Sequence, residues 1–260
     1  HTRSGSVTGV QTCALPIEDA LNFYRDTIVG SANDTTILNK VGTVNETRTL
    51  NQLRFVSENF RALYPYRSEL KLEQGKDFVR TAFTGNYFFN YAKEGGLDVR
   101  FFAGKFFYTG SKTFLKQFQT DRYHLNMTGP NGAEDYTYSD YFVGRNLFEG
   151  FASQQIMIRD GGFKVRTDLL ADKIGKTDNW LMAVNFSTTI PPHINPLQVL
   201  PIKIPLKLFA DIGTYSDVWE KNSTEDRFLF DAGLHIPLFK ETINIYIPLI
   251  YSPVLDRKSV

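Results

Sequence analysis

Three extended runs within residues 201–251 constrain the fold most, because each alternates between two kinds of side chain with a period of two. In residues 204–214 one parity holds Ile204, Leu206, Leu208, Ala210 and Ile212, and the other holds Lys207, Phe209, Asp211 and Gly213. Residues 227–236 repeat the scheme, with Phe228, Phe230, Ala232, Leu234 and Ile236 opposite Arg227, Asp231, Gly233 and His235. Residues 242–251 repeat it again, with Ile243, Ile245, Ile247, Leu249 and Tyr251 on one side. Successive side chains of a strand point to opposite faces, so this period is that of a strand between two solvents. An apolar face backed by Lys, Asp, Arg and His suits hydrocarbon on one side and a wet lumen on the other. The pattern therefore predicts an all-β chain forming an antiparallel transmembrane β-barrel.

The ends of the chain read differently. Ala14-Leu15-Pro16-Ile17 and Asp256-Arg257-Lys258-Ser259 can be encoded by reverse-complementary strands, GCTCTTCCGATC and GATCGGAAGAGC. They resemble translated sequencing adapter. Residues 1–17 and 256–260 are accordingly set aside as not native, and the chain reads as a metagenomic fragment open at both ends. Of 29 basic and 28 acidic residues, dropping Arg3, Arg257, Lys258 and Asp256 leaves 26 against 27. That balance gives no argument for nucleic acid, which asks for a basic patch. The only cysteine, Cys13, lies in the excluded end, so disulfides and a thiol nucleophile are not expected. No apolar run of about eighteen residues occurs, which excludes a transmembrane helix but not spanning strands. The 22 Phe and 13 Tyr suit the aromatic girdles of a barrel.

Along the chain, residues 18–46 are polar and predict a short helix over 19–28 followed by loop. The barrel is expected over 47–255. Residues 64–73 set Tyr66, Ser68, Leu70 and Leu72 against a charged row of Arg67, Glu69, Lys71 and Glu73. Residues 78–108 read as a hairpin turning at Lys93-Glu94-Gly95-Gly96. Residues 109–145 form a long outer loop, in which 111–118 suggests a helical turn or two, and 123–127 and 136–142 suggest short strands. Strands at 153–159 and 162–170 joined by a type I′ turn at Asp160-Gly161 follow from the Asp-Gly signal. A strand over 180–189 leads through Pro191-Pro192-His193-Ile194-Asn195-Pro196 into the final three. Short turns alternate with long polar loops, as periplasmic and external connections do in outer-membrane barrels. By that parity residues 242–251 travel outward, and one closing strand is expected beyond them.

Two family resemblances rest on short segments. Phe209-Ala210-Asp211-Ile212-Gly213, a long loop, Asp231-Ala232-Gly233, a short turn and Ile247-Pro248-Leu249 resemble the last strands of the surface-antigen family of BAM-type assembly and secretion barrels. Several other segments resemble the C-terminal membrane region of large Bacteroidota proteins identified as gluzincin-type zinc aminopeptidases. They are Gly75-Lys76-Asp77-Phe78-Val79, residues 101–108, 144–151 and 159–164, Pro205-Leu206-Lys207-Leu208-Phe209-Ala210-Asp211 and Asn244-Ile245-Tyr246-Ile247-Pro248-Leu249. The resemblance implies a zinc peptidase domain upstream. Its chemistry needs a His-Glu-x-x-His helix, which this sequence lacks, so no catalytic role carries over to any residue here.

The residues that invite a chemical reading are few. His124, His193 and His235 have no second His or Cys at ligand spacing, so no metal or cofactor is assigned; His235 reads as a lumen residue and His193 as a loop residue. A lipase-like pair of His124 and Ser139, and an oxygen site for calcium at Glu134, Asp135 and Asp140, are weighed against a plain solvated loop. Arg145 with Glu149 and Arg159 with Asp160 read as lumen ion pairs. Asn45, Asn126, Asn185 and Asn222 begin Asn-x-Ser/Thr sequences, which carry no glycan in a bacterial setting. Catalytic, cofactor-binding and metal residues are thus none. Three readings stay open: a non-catalytic outer-membrane barrel anchoring or exporting an upstream zinc-peptidase-like domain, a surface-antigen assembly barrel, and a soluble all-β binding module. The first implies outer-membrane lipid and the upstream domain as partners.

Overall fold

The computed structural model describes residues 6–31, 34–60, 63–92, 95–110, 124–128, 158, 160–165, 167, 174–199, 204–239 and 241–256. Nine strands form one antiparallel meander: β1 (Ser6–Ser31), β2 (Asp34–Asn59), β3 (Tyr66–Gln74), β4 (Phe78–Ala92), β5 (Gly95–Tyr108), β8 (Trp180–Thr189), β9 (Lys207–Tyr215), β10 (Leu229–Leu238) and β11 (Ile243–Tyr251). The two-residue strands β6 (Leu125–Asn126) and β7 (Lys176–Thr177) pair with each other outside this sheet. The described residues contain no α-helix, only short 3-10 turns such as Pro192–Ile194 and Ser216–Trp219. Neighbours in sequence are neighbours in space, and β5 pairs directly with β8, Leu97 facing Thr188 and Lys105 facing Trp180. The sheet is open: β1 and β11 are its edges and do not pair with each other.

The alternation read from the sequence is carried into space. On β9, Leu208 and Ile212 are exposed while Phe209 and Asp211 are buried. On β10, Phe230 is exposed while Leu229, Asp231 and His235 are buried, and on β8 Met182 and Phe186 are exposed while Leu181, Ala183 and Asn185 are buried. Along β11 the aliphatic row lies open from Ile243 at 50 % to Leu249 at 60 % exposure. Strands of nine or ten residues such as β8 to β11 match the length of about 9–11 residues with which a tilted strand crosses a bilayer.

One face of the sheet, the inner face, is covered by the chain's own excursion between β5 and β8. Leu125, Met127, Phe163 and Ile174 from that excursion pack on Phe78, Phe102, Phe106, Leu181 and Ala183 of the sheet, joined by Tyr215, Val218 and Leu229. The core therefore sits at the long-loop end of the inner face. Apolar burial of this kind stabilises by roughly 25 cal/mol per Å².

Four expectations need correcting. Of the strands expected at 153–159 and 162–170 with a turn at Asp160-Gly161, the described residues, Ile158, 160–165 and Thr167, are not strand, and residues 160–165 run as turn and coil over the inner face; the rest of both stretches lies outside the described residues. A type I′ turn needs positive φ at both central residues. Here the positive values fall on Asp160 (46°) and Gly162 (68°), with Gly161 between them. The amides of Gly161 and Phe163 donate to the carbonyls of Asn126 and Met127, at 2.9 and 2.8 Å, so the Asp-Gly signal marks a bend whose partner lies in 125–128. Second, the helix expected over 19–28 and the loop to 44 are strand, β1 pairing with β2 from Ser6 opposite Glu58 to Ser31 opposite Asp34. Runs such as Thr27-Ile28-Val29 and Thr35-Thr36-Ile37 are β-branched and favour extended backbone. Third, of the strand expected at 123–127 only Leu125–Asn126 is strand among the described residues, the backbone bending at His124 and Met127. Fourth, Arg227 shares the inner parity in sequence but is exposed, its guanidinium 4.9 Å over the Trp219 ring; it lies before β10 begins, where the strand rule no longer applies. The stretches at 111–118 and 136–142 lie outside the described residues.

Candidate functional site

The polar residues of the inner face come from seven strands, and those of five, β4, β5, β8, β9 and β10, meet one segment, residues 160–165. On β4, Arg80 is 2 % exposed and bridges two carboxylates: Nη1 donates to Glu73 of β3 at 2.7 Å and Nη2 to Asp160 at 2.9 Å. Glu73, 1 % exposed, also accepts from Nε2 of Gln52 on β2 at 2.7 Å. From β5, Nη1 of Arg100 donates to the Asp160 carbonyl at 2.7 Å and to Oδ1 of Asn185 at 2.8 Å. Asn185 of β8 donates through Nδ2 to the Gly161 carbonyl at 2.8 Å and to Asp211 of β9 at 2.9 Å. Lys164 ends the row, its Nζ 2.9 Å from Oδ2 of Asp211. The Asp231 carboxylate of β10 accepts the backbone amides of Lys164 and Val165, at 2.8 and 2.9 Å.

Each of these groups is costly to bury alone. A buried charge needs both an opposite charge and hydrogen bonds to be tolerated, and here the sheet and the segment supply each other's partners. Glycine is required at two points. A Cβ on Gly161 falls 2.6 Å from the Met127 Cα, and one on Gly162 falls 2.8 Å from Asn185 Oδ1 and 2.9 Å from Arg100 Nη1. Only a bare backbone lets the segment lie this close to the sheet. The arrangement is a lock: it holds residues 160–165 against the strands. It places no nucleophile beside a base.

Beyond the lock, towards the end where β4 turns into β5, the inner face opens into two adjoining cavities. One, of about 330 Å³, is lined by Arg54, Arg67, Glu69, Lys71, Thr84 and Asn86 among others; the second, of about 340 Å³, adds Asp98, Lys164, His235 and Tyr246. Both share Arg67, Asn86, Arg100 and Ile158. Glu69 is shared between Arg54 at 2.6 Å and Arg67 at 3.8 Å. No protein-family model, curated protein or solved structure matches the chain.

The residues weighed from the sequence fall as follows. His235 is buried on the inner face, its Nε2 2.8 Å from Oδ1 of Asn244 and its ring stacked on Tyr246 at 4.4 Å. His193 is exposed in the turn Pro192–Ile194. His124 is half-buried beside β6, while Ser139, Glu134, Asp135, Asp140, Arg145, Glu149 and Arg159 lie outside the described residues. The Asp160 carboxylate is held by Arg80, far away in sequence. Among the described residues no three His, Cys, Asp or Glu side chains gather as a metal site would require. Sequence reading missed that Arg80, Lys164, Asn185, Asp211 and Asp231 act together. The usable signal was polarity at the centre of one strand parity, where a half-buried strand has no reason to keep it.

Proposed function

We propose that this chain is part of a bacterial outer-membrane β-barrel, with lipid against its apolar face and the 160–165 segment held in its lumen. In this reading it has no catalytic role of its own and anchors or exports an upstream zinc-peptidase-like domain, as the resemblance to Bacteroidota gluzincin-type proteins implies. The observation that carries the reading is an inversion of the ordinary solvent order. Ile243, Ile245, Ile247, Leu249, Ile212 and Leu208 are open while Glu73, Arg80, Asp211 and Asp231 are buried. Monomeric soluble proteins rarely expose a contiguous apolar patch beyond a few hundred Å². Aromatic side chains stand open towards both ends of the strands, Tyr87, Phe89 and Tyr91 at one and Phe107 and Phe228 at the other, as interfacial girdles do.

A surface-antigen assembly or secretion barrel is the second reading. In its favour, the aspartates of the two motifs that carry that resemblance, Asp211 and Asp231, both grip the same segment, through Lys164 and through the Lys164 and Val165 amides. Refolding the purified chain in the presence of lipid vesicles tests the membrane proposal. Stable insertion, with the strands protected from added protease and the protein resisting alkaline carbonate extraction, is expected. A chain that stays monomeric and folded in buffer without detergent or lipid contradicts it, and supports a soluble binding module.

A further inference from the structure

We infer that the outer face binds an anionic phospholipid, its phosphate seated on Arg227 beside Trp219 and Phe228, where the 216–228 loop meets β9 and β10. This binding rests on the membrane reading, within which it names one partner. The three side chains form one fixed group. Trp219 Nε1 donates to Thr214 Oγ1 at 2.8 Å, and that hydroxyl donates to the Arg227 carbonyl at 2.7 Å. The Arg227 guanidinium lies 4.9 Å over the Trp219 ring, and the Phe228 ring meets Trp219 edge-on at 6.0 Å. Trp219 and Phe228 are 45 % and 52 % exposed, so open apolar rings stand beside a cation. Tryptophan rings of membrane proteins sit at headgroup level, and the guanidinium fork takes phosphate oxygens two at a time.

Lys105 repeats the arrangement at the same end of the sheet. It stands on the outer parity of β5, its Nζ 5.1 Å from the centre of the Phe107 ring. Lys105 faces Trp180, Leu181 faces Tyr215 and Gly213 faces Leu229, so the register carries its level across the sheet to Arg227. Among the described residues neither cation makes an ion pair. Asp217, Glu220, Glu225 and Asp226 share the loop with Arg227, but the Asp217 carboxylate turns to Thr177 and Ser216. The opposite end is different. Tyr87, Phe89 and Tyr91 are exposed there, and among the described residues no cation stands over their rings. Lys207 at that end is matched by Glu241 at 2.6 Å. Described cations on open rings thus mark one end of the outer face only. Further along β9 and β10 a groove of about 400 Å³ is lined by Ala210, Ala232 and Gly233 with Phe186, Leu208 and Leu249. Ala210 lies four residues from Thr214, about 13 Å along the strand, close to the ~15 Å depth of half a hydrocarbon core. One acyl chain of a lipid held at Arg227 therefore reaches the groove.

Tryptophan quenching tests this. Trp180→Phe leaves Trp219 as the one tryptophan of the two. That chain is reconstituted in phosphatidylcholine bilayers containing phosphatidylglycerol, with bromine on the acyl chains of one lipid or the other. At equal mole fraction brominated phosphatidylglycerol should quench Trp219 more strongly, with a relative affinity roughly fivefold in its favour, the worth of one arginine near an anionic surface. Raised sodium chloride should weaken that preference, and Arg227→Gln should bring the ratio close to one. Lys207→Gln, at the other end, should leave it unchanged. Equal quenching by both lipids, or a preference that survives Arg227→Gln, overturns the inference and leaves the membrane reading standing. No quenching by either lipid overturns both.

Discussion

Arg80 is the residue on which the lock depends, because one guanidinium holds two buried carboxylates from different parts of the chain. Removing one partner of a buried ion pair costs about 3–5 kcal/mol, since the other charge stays buried without compensation. Arg80→Met should therefore lower unfolding stability by that amount in urea titrations. The conservative Arg80→Lys should recover only part of it, an ammonium being unable to span Glu73 and Asp160 with two parallel donors. At the far turn the pair of Lys207 and Glu241, 2.6 Å apart, behaves differently. The hydrogen bond from Lys207 holds the Glu241 carboxyl below its ordinary value of 4.5. A lowered folded value means that the pair stabilises above the unfolded value and loses that stabilisation as pH falls through the folded one. Glu241→Gln should thus reduce stability at neutral pH and leave it unchanged well below pH 4.5. With the Glu241 side chain 60 % exposed, the loss should be under about 1 kcal/mol.

At the scale of elements, the sheet strands from β3 onward were legible in the sequence, whereas β1, the first half of β2 and the excursion were not. The periods of β8 to β11 were readable because each strand separates two environments, and the side chains of Leu208, Asp211, Ile212 and Asp231 record that separation locally. The 160–165 segment carries no such record. Asp160-Gly161 marks a bend whatever it packs on, and its partners at Asn126 and Met127, or at Arg80 and Asp211, are fixed by tertiary register alone. The expected alternation of short turns and long loops holds only in part. The excursion after β5 and the 216–228 loop share one end of the sheet, but the three-residue turn 75–77 lies at that same end and the connection 190–206 at the other end is long. A prediction belongs to this scale. Asp231→Asn should speed hydrogen exchange at the Lys164 and Val165 amides, which donate to that carboxylate. The amides of Gly161 and Phe163, held by backbone carbonyls, should stay protected. Uniform loss of protection along the segment would show that it is held some other way.

At the scale of the molecule, the sheet is inverted: its inner face buries Glu73, Arg80, Asp211 and Asp231, and its outer face exposes Leu208, Ile212, Ile243 and Leu249. Ile212, exposed on the outer face of β9, separates the possibilities by magnitude. A lysine facing the bilayer midplane costs about 2–4 kcal/mol, whereas the same change on a watery surface stays within about 0.5 kcal/mol. Ile212→Lys should accordingly show the larger loss when unfolding is followed in lipid bilayers. The most direct measurement places a nitroxide at each position from Leu208 to Thr214 in turn, after replacing the single cysteine, Cys13, with serine. Its collisions with oxygen and with a water-soluble nickel complex are then read in reconstituted bilayers. High oxygen and low nickel accessibility at Leu208, Ala210 and Ile212, and low oxygen accessibility at Phe209, Asp211 and Gly213, is the predicted alternation. High nickel accessibility at Leu208, Ala210 and Ile212 would contradict it.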